Sequence, residues 1–152
     1  MLKQYTNRIM CSYVNSHVVC IGSSKALNNA ERMLNEENLS KRYINYSYKR
    51  NGNRIDFLGE SRSDPNDDFM RAVKHICELD YVFFKGMDYD GYEVAYFYEL
   101  DDPDNMQEFE TQFNDLFNEY EDDDDTLVDK QSELSDKIDD DFEKYIQNYI
   151  RK

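Results

Sequence analysis

The dipeptide Asn51-Gly52 constrains the fold of this chain more than any other feature of the sequence. It separates two runs in which apolar and polar side chains alternate, the pattern of strands with one buried face. Asn-Gly is a preferred pair for a two-residue turn between antiparallel strands. Folding about this turn puts two cross-strand pairs and one further residue on a single sheet face: Tyr48 with Ile55, Tyr46 with Phe57, and Ile44. The sequence therefore predicts an antiparallel hairpin with this register.

Two elements are predicted before this hairpin. Residues 17–21 form a short β-branched run that ends at Gly22, which is typical of a buried strand. A helix then extends to about residue 39, capped by Ser23 or Ser24. Its inner face carries apolar residues at helical spacing: Leu27, Ala30 and Leu34. Residues 1–16 fit either a helix or a strand, and the strand is favoured.

A second helix and a second hairpin follow the first hairpin. Asp64-Pro65 is a helix start signal, and the helix is predicted to end near Leu79. Its inner face carries Phe69, Ala72, Val73 and Ile76. Residues 81–87 and 92–100 then flank a turn at 88–91. We expect one face of these strands to carry Val82, Phe84, Ala95 and Phe97, and the other to carry Phe83, Met87, Val94, Tyr96 and Tyr98. Both faces are apolar or aromatic, so both are predicted to be covered.

The predicted order is β-α-β-β-α-β-β, an α+β fold with an antiparallel sheet, two hairpins and the ferredoxin-like order. A chain of 152 residues is long enough for one core of this kind. We expect residues 1–100 to form the sheet domain. Residues 101–152 are predicted to form an acidic helical hairpin that packs on the sheet or projects from it.

Negative charge is concentrated in one third of the chain. Residues 86–129 contain 17 acidic residues and no Lys or Arg, whereas residues 1–85 have a net charge of +3. The whole chain carries −15. Such an asymmetry bears on partners and on association rates rather than on fold.

The acidic segment is patterned as a helix. Asp102-Pro103 is a start signal, and a helix over residues 103–120 would put large apolar groups on one face: Met106, Phe109, Phe113, Leu116, Phe117 and Tyr120. Five carboxylates fall opposite them, in a stripe of roughly 27 Å at about 1.5 Å per residue. They are Asp104, Glu108, Asp115, Glu119 and Asp122.

A last helix over about residues 126–150 repeats this pattern. Its predicted inner face is Leu127, Leu134, Ile138, Phe142, Tyr145 and Tyr149, and the acids opposite are Asp129, Asp136, Asp139, Asp140 and Glu143. Residues 121–125 are expected to form a solvated turn between the two helices.

Three interpretations of the acidic face compete. A solvating coat would cover the whole surface, whereas residues 1–85 are net positive. An ordinary solvated surface is the plainest alternative. A docking surface for a basic groove is the third, because spaced carboxylates on a rigid helix can occupy a cleft that binds DNA phosphates. We favour the third, and the predicted contact set is Asp104, Glu108, Asp115, Glu119, Asp122, Asp123, Asp124 and Asp125.

In composition and patterning the chain resembles the small acidic inhibitors that phages use against restriction enzymes, uracil-DNA glycosylase or CRISPR nucleases. The resemblance implies a DNA-mimicking inhibitor of a basic nuclease, preferably an anti-CRISPR, that acts in the cytoplasm of a bacterial host without binding nucleic acid itself. The alternative is a non-mimic binding module, either of the immunity or antitoxin type or an allosteric inhibitor. Its contacts are expected at Tyr89, Tyr92 or Tyr98.

Other chemistry-bearing residues favour structural roles. Gly22-Ser23-Ser24 lacks the remaining residues of a P-loop. Residues 88–93 resemble part of a calcium loop without its later ligands, so an acidic turn is expected. The two His and three Cys lack metal-binding or catalytic spacing, and Cys11, Cys20 and Cys77 are expected to be reduced thiols. A metal-dependent enzyme that uses the acids between Asp88 and Asp104 is a third class, disfavoured because no general base, nucleophile or ligand set is recognisable. No enzyme, cofactor or metal site is therefore predicted, and no apolar run is long enough to span a membrane.

Basic residues cluster around the first hairpin: Lys41, Arg42, Lys49, Arg50, Arg54 and Arg62. Single-stranded nucleic acid could bind such a cluster with Tyr46 and Tyr48 as stacking groups. However, both tyrosines are predicted on the buried face, and the net charge of the protein repels phosphate. We therefore expect a solvated edge that discourages strand pairing.

Overall fold

The computed structural model describes residues 13–36, 38–88 and 94–151, and in this part an antiparallel sheet has helices on both faces. The strands are β1 (Tyr13–Ile21), β2 (Asn45–Asn51), β3 (Arg54–Arg62), β4 (Tyr81–Asp88), β5 (Val94–Glu99) and β6 (Gln107–Glu108). The helices are α1 (Ser24–Glu36), α2 (Asp67–Cys77), α3 (Glu110–Glu119) and α4 (Asp124–Ile150), with short 3-10 helices at Leu39–Lys41 and Pro103–Asn105. The α+β class is confirmed, and β1 to β5 with α1 and α2 follow the predicted chain order.

The sheet has the strand order β2-β3-β1-β4-β5-β6, and neighbouring strands are antiparallel throughout. One face packs on α1 and α2, and the other packs on α3 and α4. The helical hairpin after residue 100 therefore lies on the sheet and shares a core with it. Among the described residues, that core covers β1, β4 and β5 and leaves the same face of β2 and β3 open.

The first core confirms the predicted inner face of α1. Leu27, Ala30 and Leu34 are buried, and the Ser23 hydroxyl caps the helix by accepting a hydrogen bond from the amide of Ala26 at 3.1 Å. The helix ends at Glu36, before the predicted boundary. Cys20 and Cys77 are buried in this core as free thiols, and burial raises the pKa of Cys20 to about 12. Cys11 lies outside the described residues.

The first hairpin exists, but its predicted register is wrong by two residues. The turn is at 52–53, so that Asn51 pairs with Arg54 and Tyr48 pairs with Phe57. Gly52 has φ +58°, at the first central position of the turn, which is where a type II′ turn takes glycine. A shift of two residues keeps every side chain on its face. Ile55 and Phe57 are accordingly buried as predicted, whereas Ile44 and Tyr46 are about half exposed.

The second hairpin also exists, but the predicted faces of β5 are exchanged. Phe84 pairs with Tyr98 and faces the first core with it, while Phe83 and Phe97 face the second. The connection spans residues 89–93, which lie outside the description, rather than the predicted 88–91. This changes the register by an odd number of residues, which turns one strand over relative to the other. The prediction that both faces are covered is confirmed.

The inner face of α2 is rotated from the predicted one. Phe69 and Val73 are buried as expected, but Ala72 is exposed and Ile76 is 68% exposed. Met70, Lys74 and Cys77 are buried instead. The ammonium group of Lys74 reaches the buried carboxylate of Glu99 on β5 at 2.8 Å, so the observed inner face carries an ion pair beside its apolar groups.

The predicted helix over residues 103–120 is interrupted. Pro103 starts only a 3-10 turn, and Met106 leaves it with an extended backbone. Gln107 and Glu108 then pair with β5, and the amide of Phe109 donates to the carbonyl of Ala95 at 2.9 Å. The edge of β5 thus captures backbone groups that a continuous helix would have used itself. The stripe predicted for this segment does not form as a single helical face.

Candidate functional site

The helix α4 is anchored to the sheet by one apolar side. Its buried residues are Leu127, Ile138, Phe142 and Ile146, which confirms most of the predicted inner face and adds Ile146. Aromatic contacts fix its C-terminal half, with ring centroids 5.3 Å apart for Phe97 and Phe142 and 5.4 Å apart for Phe83 and Tyr149. The hydroxyl of Tyr149 also donates to the carboxylate of Asp102 at 2.9 Å. A helix held in this way keeps its outer side chains in a defined place.

Five carboxylates occupy the opposite, solvent-facing side of α4. We call them the α4 stripe: Asp125, Asp129, Glu133, Asp136 and Asp140. At 100° per residue they fall within an arc of about 80°, and they extend over about 23 Å at 1.5 Å per residue. All five side chains are exposed. The stripe is therefore a linear array of negative charge on a rigid support.

Cations of the sheet neutralise the inner border of α4 rather than the stripe. Arg54 donates to Glu143 at 2.8 Å, and Lys85 pairs with Asp139. Within the described chain, the stripe contacts one cation, the Lys130 side chain at 3.5 Å from Glu133. That pair is exposed, so its contribution is small. Arg54 and Lys85 thus hold α4 on the sheet, and they do not pair with the carboxylates of the α4 stripe.

The predicted contact set lies entirely at the surface, but the structure divides it among several elements. Asp104 belongs to the 3-10 turn and Glu108 to β6, so neither shares a helical face with Asp115 and Glu119. Asp115 and Glu119 lie one turn apart on the exposed side of α3. The remaining four, at residues 122–125, connect α3 to the start of α4.

Three members of the contact set stabilise the start of α4. The carboxylate of Asp123 accepts hydrogen bonds from the hydroxyl and the amide of Thr126, which lower the pKa of Asp123. This is an N-cap. Asp124 and Asp125 lie in the first turn, where negative charge interacts favourably with the helix dipole. Besides forming the solvated turn that the sequence predicts, this segment stabilises the start of α4.

Four members of the α4 stripe were not among the predicted contact residues: Asp129, Glu133, Asp136 and Asp140. A sequence signal existed, because Asp129, Asp136 and Asp140 lie opposite the apolar arc of the last helix. The predicted contact set lies where acidic residues are densest, within residues 104–125. Pairing of residues 107 and 108 with β5 breaks the helix predicted for the first part of that segment.

A groove of about 880 Å³ lies beside α4, over the open face of β2 and β3. A chain of hydrogen bonds crosses it. His17 contacts the Asp56 carboxylate at 2.8 Å, Arg54 donates to Asp56 at 2.6 Å, and Arg54 also donates to Glu143. Leu58, 52% exposed, adds an apolar surface to the same groove. The groove is large enough for a side chain or a short segment of a partner.

The pKa values in this groove depend on hydrogen bonds from His17 and Arg54. Burial raises the pKa of Asp56, but hydrogen bonds from His17 and Arg54 outweigh it and hold that pKa well below its usual range. Arg54 lowers the pKa of Glu143, and the pKa of Arg54 is raised by both carboxylates. The three groups stay charged together and hold α4 against β3.

Other predicted features have the following outcomes. Within the described residues, no cluster of three or more His, Cys, Asp or Glu side chains is arranged to hold a metal ion. Likewise, no helix in this part of the chain is long and apolar enough to cross a bilayer. The acidic turn expected at residues 88–93 lies outside the described side chains. Tyr98 is 4% exposed and packs in the first core, so it cannot be the surface contact that the sequence suggested.

No protein family, curated protein or solved structure matches this chain.

Proposed function

We propose that this chain inhibits a nucleic-acid-binding protein, a restriction or CRISPR nuclease, by presenting carboxylates where that protein binds phosphates. The α4 stripe is the observation that supports the proposal most. Its carboxylates are three or four residues apart, about 4.5–6 Å along the axis, which is of the same order as the rise of about 3.4 Å per phosphate on one DNA strand. A fixed array of this kind steers a cationic cleft towards it and speeds association.

The preferred role is that of an anti-CRISPR in the cytoplasm of a bacterial host. The contact surface would join the α4 stripe to Asp115 and Glu119 of α3 and to the acidic turn at 122–125. The buried side of α4 supplies rigidity, which limits the conformational entropy lost on binding. The inhibitor would compete with DNA for the nuclease and need not touch nucleic acid itself.

Charge reversal tests this proposal. The stripe variant carries Asp129→Lys, Glu133→Lys, Asp136→Lys and Asp140→Lys. A matched control carries the same change in net charge on the sheet side of the chain: Glu36→Lys, Asp68→Lys, Glu78→Lys and Asp80→Lys. DNA cleavage by a purified CRISPR effector and by a restriction endonuclease is followed with increasing inhibitor. We expect the stripe variant to lose at least about tenfold in potency and the control to change by less than about twofold.

Salt provides a second readout in the same assay. Inhibition by the native chain should weaken between about 50 and about 300 mM NaCl, because screening shortens the range of the charges. A triple variant, Glu108→Lys, Asp115→Lys and Glu119→Lys, then measures the contribution of the originally predicted face. If the folded stripe variant inhibits as well as the native chain, phosphate mimicry by α4 is wrong.

The groove beside α4 favours a second candidate, a binding module that does not mimic DNA. Exposed Leu58 offers an apolar contact that screening by NaCl would not weaken. Leu58→Lys should then abolish binding to the same nucleases while the stripe variant retains it. Tyr89 and Tyr92 lie outside the described residues and remain predictions for this candidate.

A further inference from the structure

Among the described residues, the strand β2 forms one end of the sheet, and no other strand pairs with its outer backbone groups. The other end is β6, which has only two residues, whereas β2 has seven. Asn51 and Arg54 flank the two-residue turn as a hydrogen-bonded pair, and such pairs alternate along a hairpin. The amides and carbonyls of Tyr46, Tyr48 and Arg50 therefore point away from β3. A long open edge of this kind is a template for pairing with another strand.

The side chains that usually protect an edge are directed elsewhere. Arg50 is held over α1, where it donates to Glu31 at 2.9 Å and to the side-chain carbonyl of Asn28. Tyr48 donates to Asn35 of the same helix at 2.9 Å. Lys49 is the only other charge on the strand, and β2 contains no acid, no proline and no glycine. The expected protection of this edge by basic residues thus rests on Lys49 alone.

We propose that β2 pairs with β2 of a second copy of this chain about a twofold axis, which joins two sheets into one. An antiparallel register centred on Tyr48 overlaps all seven residues and uses the outward backbone groups of residues 46, 48 and 50. It places Tyr48 beside Tyr48 of the other copy, Tyr46 beside Arg50, Ser47 beside Lys49 and Asn45 beside Asn51. No like charges face each other, and the two Tyr48 rings form a favourable aromatic pair.

The acidic helices do not prevent this assembly. The helix α4 covers β1, β4 and β5, and five strand spacings of about 4.8 Å separate the two copies of β1, or about 24 Å. That is about three Debye lengths at physiological ionic strength. Edge pairing alone buries little surface, so the dimer forms in the micromolar range and depends on concentration. The two α4 stripes would then flank one continuous trough over β2 and β3.

Sedimentation of the full chain tests the inference. From about 5 to about 200 µM, the mass should rise from 18.3 kDa towards twice that value. Ser47→Lys places a lysine opposite Lys49 of the other copy and should keep the chain monomeric throughout, with an unchanged far-UV CD spectrum. Adding Lys49→Glu to this variant should restore the dimer, because the lysine introduced in one copy would then face the glutamate introduced in the other.

The double variant also identifies the register, because only a pairing centred on Tyr48 brings positions 47 and 49 together. Asp129→Lys serves as a control that alters charge far from the edge and should leave dimerisation unchanged. A native chain that remains monomeric at about 200 µM, or a Ser47→Lys variant that still dimerises, overturns the proposal. Nuclease inhibition by the monomeric variant is measured separately, so the two proposals fail independently.

Discussion

At the scale of single residues, this acidic protein uses its few cations as structural ties. Arg54, which also contacts Asp56 on its own strand, joins β3 to α4 through Glu143, and Lys74 joins α2 to β5 through Glu99. Both ties connect elements that are distant in sequence. No periodicity could reveal them, because each partner lies on an ordinary polar position until the fold brings the two together.

Asp56→Asn should make the free energy of unfolding less dependent on pH in the acid range. The folded state holds the pKa of Asp56 below its ordinary value of about 3.9, so the carboxylate stabilises the fold above that pH. This stabilisation is lost as the pH falls through the folded-state pKa, because the unfolded chain takes up the proton first. We expect the variant to lose about 1–2 kcal/mol at pH 7, a value reduced for partial exposure.

Urea denaturation between about pH 3 and pH 7 measures this effect. The difference between native and variant stability should shrink below about pH 4. Asp140→Asn, an exposed carboxylate of α4, is the control and should show no such trend. A difference that is the same at every pH would contradict the assignment.

Glu99→Ala should be among the most destabilising polar substitutions in the described chain. Glu99 is 2% exposed and accepts hydrogen bonds from the Lys74 ammonium group and from the amides of Val82 and Asp101. Burial alone would lower the pKa of Lys74, but the hydrogen bonds that Lys74 donates to Asp101 and Glu99 raise it. Removing Glu99 leaves a buried cation half-paired, at a cost of roughly 3 kcal/mol.

Equilibrium unfolding in urea gives this cost directly. His75, on the same helix as Lys74, makes an exposed contact with Asp101 and provides the control, so that His75→Ala should change stability by less than about 0.5 kcal/mol. Combining Glu99→Leu with Lys74→Met should cost less than the sum of the single changes. Strict additivity would mean that the two groups do not interact.

At the scale of elements, the sequence patterns predicted which helices and strands form better than they predicted which side of each is buried. The inner faces of α1 and α4 agree with the sequence because an amphipathic helix carries its own periodicity. The exchange of faces in β5 has a different origin, since one residue more or less in a connection turns a strand over. The broken helix at 103–109 shows a third limit, because the free edge of β5 competed for the same backbone groups.

Asp123→Ala should weaken α4 at its start. The carboxylate caps the helix through Thr126, and alanine cannot accept those hydrogen bonds. The melting temperature should fall, with the largest loss of hydrogen-exchange protection in the first two turns of α4. Asp122→Ala removes a neighbouring exposed carboxylate outside the cap and should leave the melting temperature unchanged. If both changes lower the melting temperature equally, the lower stability comes from the loss of negative charge and not from the loss of the cap.

At the scale of the whole molecule, negative charge is concentrated in the outer helical layer, whereas residues 1–100 are nearly neutral, with 14 acidic and 13 basic residues. The net charge of −15 resides mainly in that layer, where carboxylates at helical spacing repel one another. A protein selected only for stability would have little reason to keep such a layer, since net charge of one sign destabilises the compact state. This cost is what the proposed docking function would account for.

Added salt should therefore stabilise the native chain. Screening weakens repulsion among the exposed carboxylates, so the urea midpoint should rise between about 0.05 and about 0.5 M NaCl. Neutralising the stripe with Asp129→Asn, Glu133→Gln, Asp136→Asn and Asp140→Asn should raise the midpoint at low salt and reduce its salt dependence. Sodium sulfate mainly strengthens apolar burial, so a comparison of the two salts separates that effect from the screening of charge repulsion. An unchanged midpoint in NaCl would mean that the layer is not under electrostatic strain.

Local sequence patterns were enough to predict the α+β class, the order of the main elements and the concentration of acid in residues 86–129. These properties depend on side-chain periodicity, turn residues and composition, all of which act over a few neighbouring residues. The tertiary structure alone decided the register of both hairpins, the break at residue 106 and the ties from Arg54 and Lys74. It also decided which carboxylates face outward together, because that depends on where the sheet holds α4.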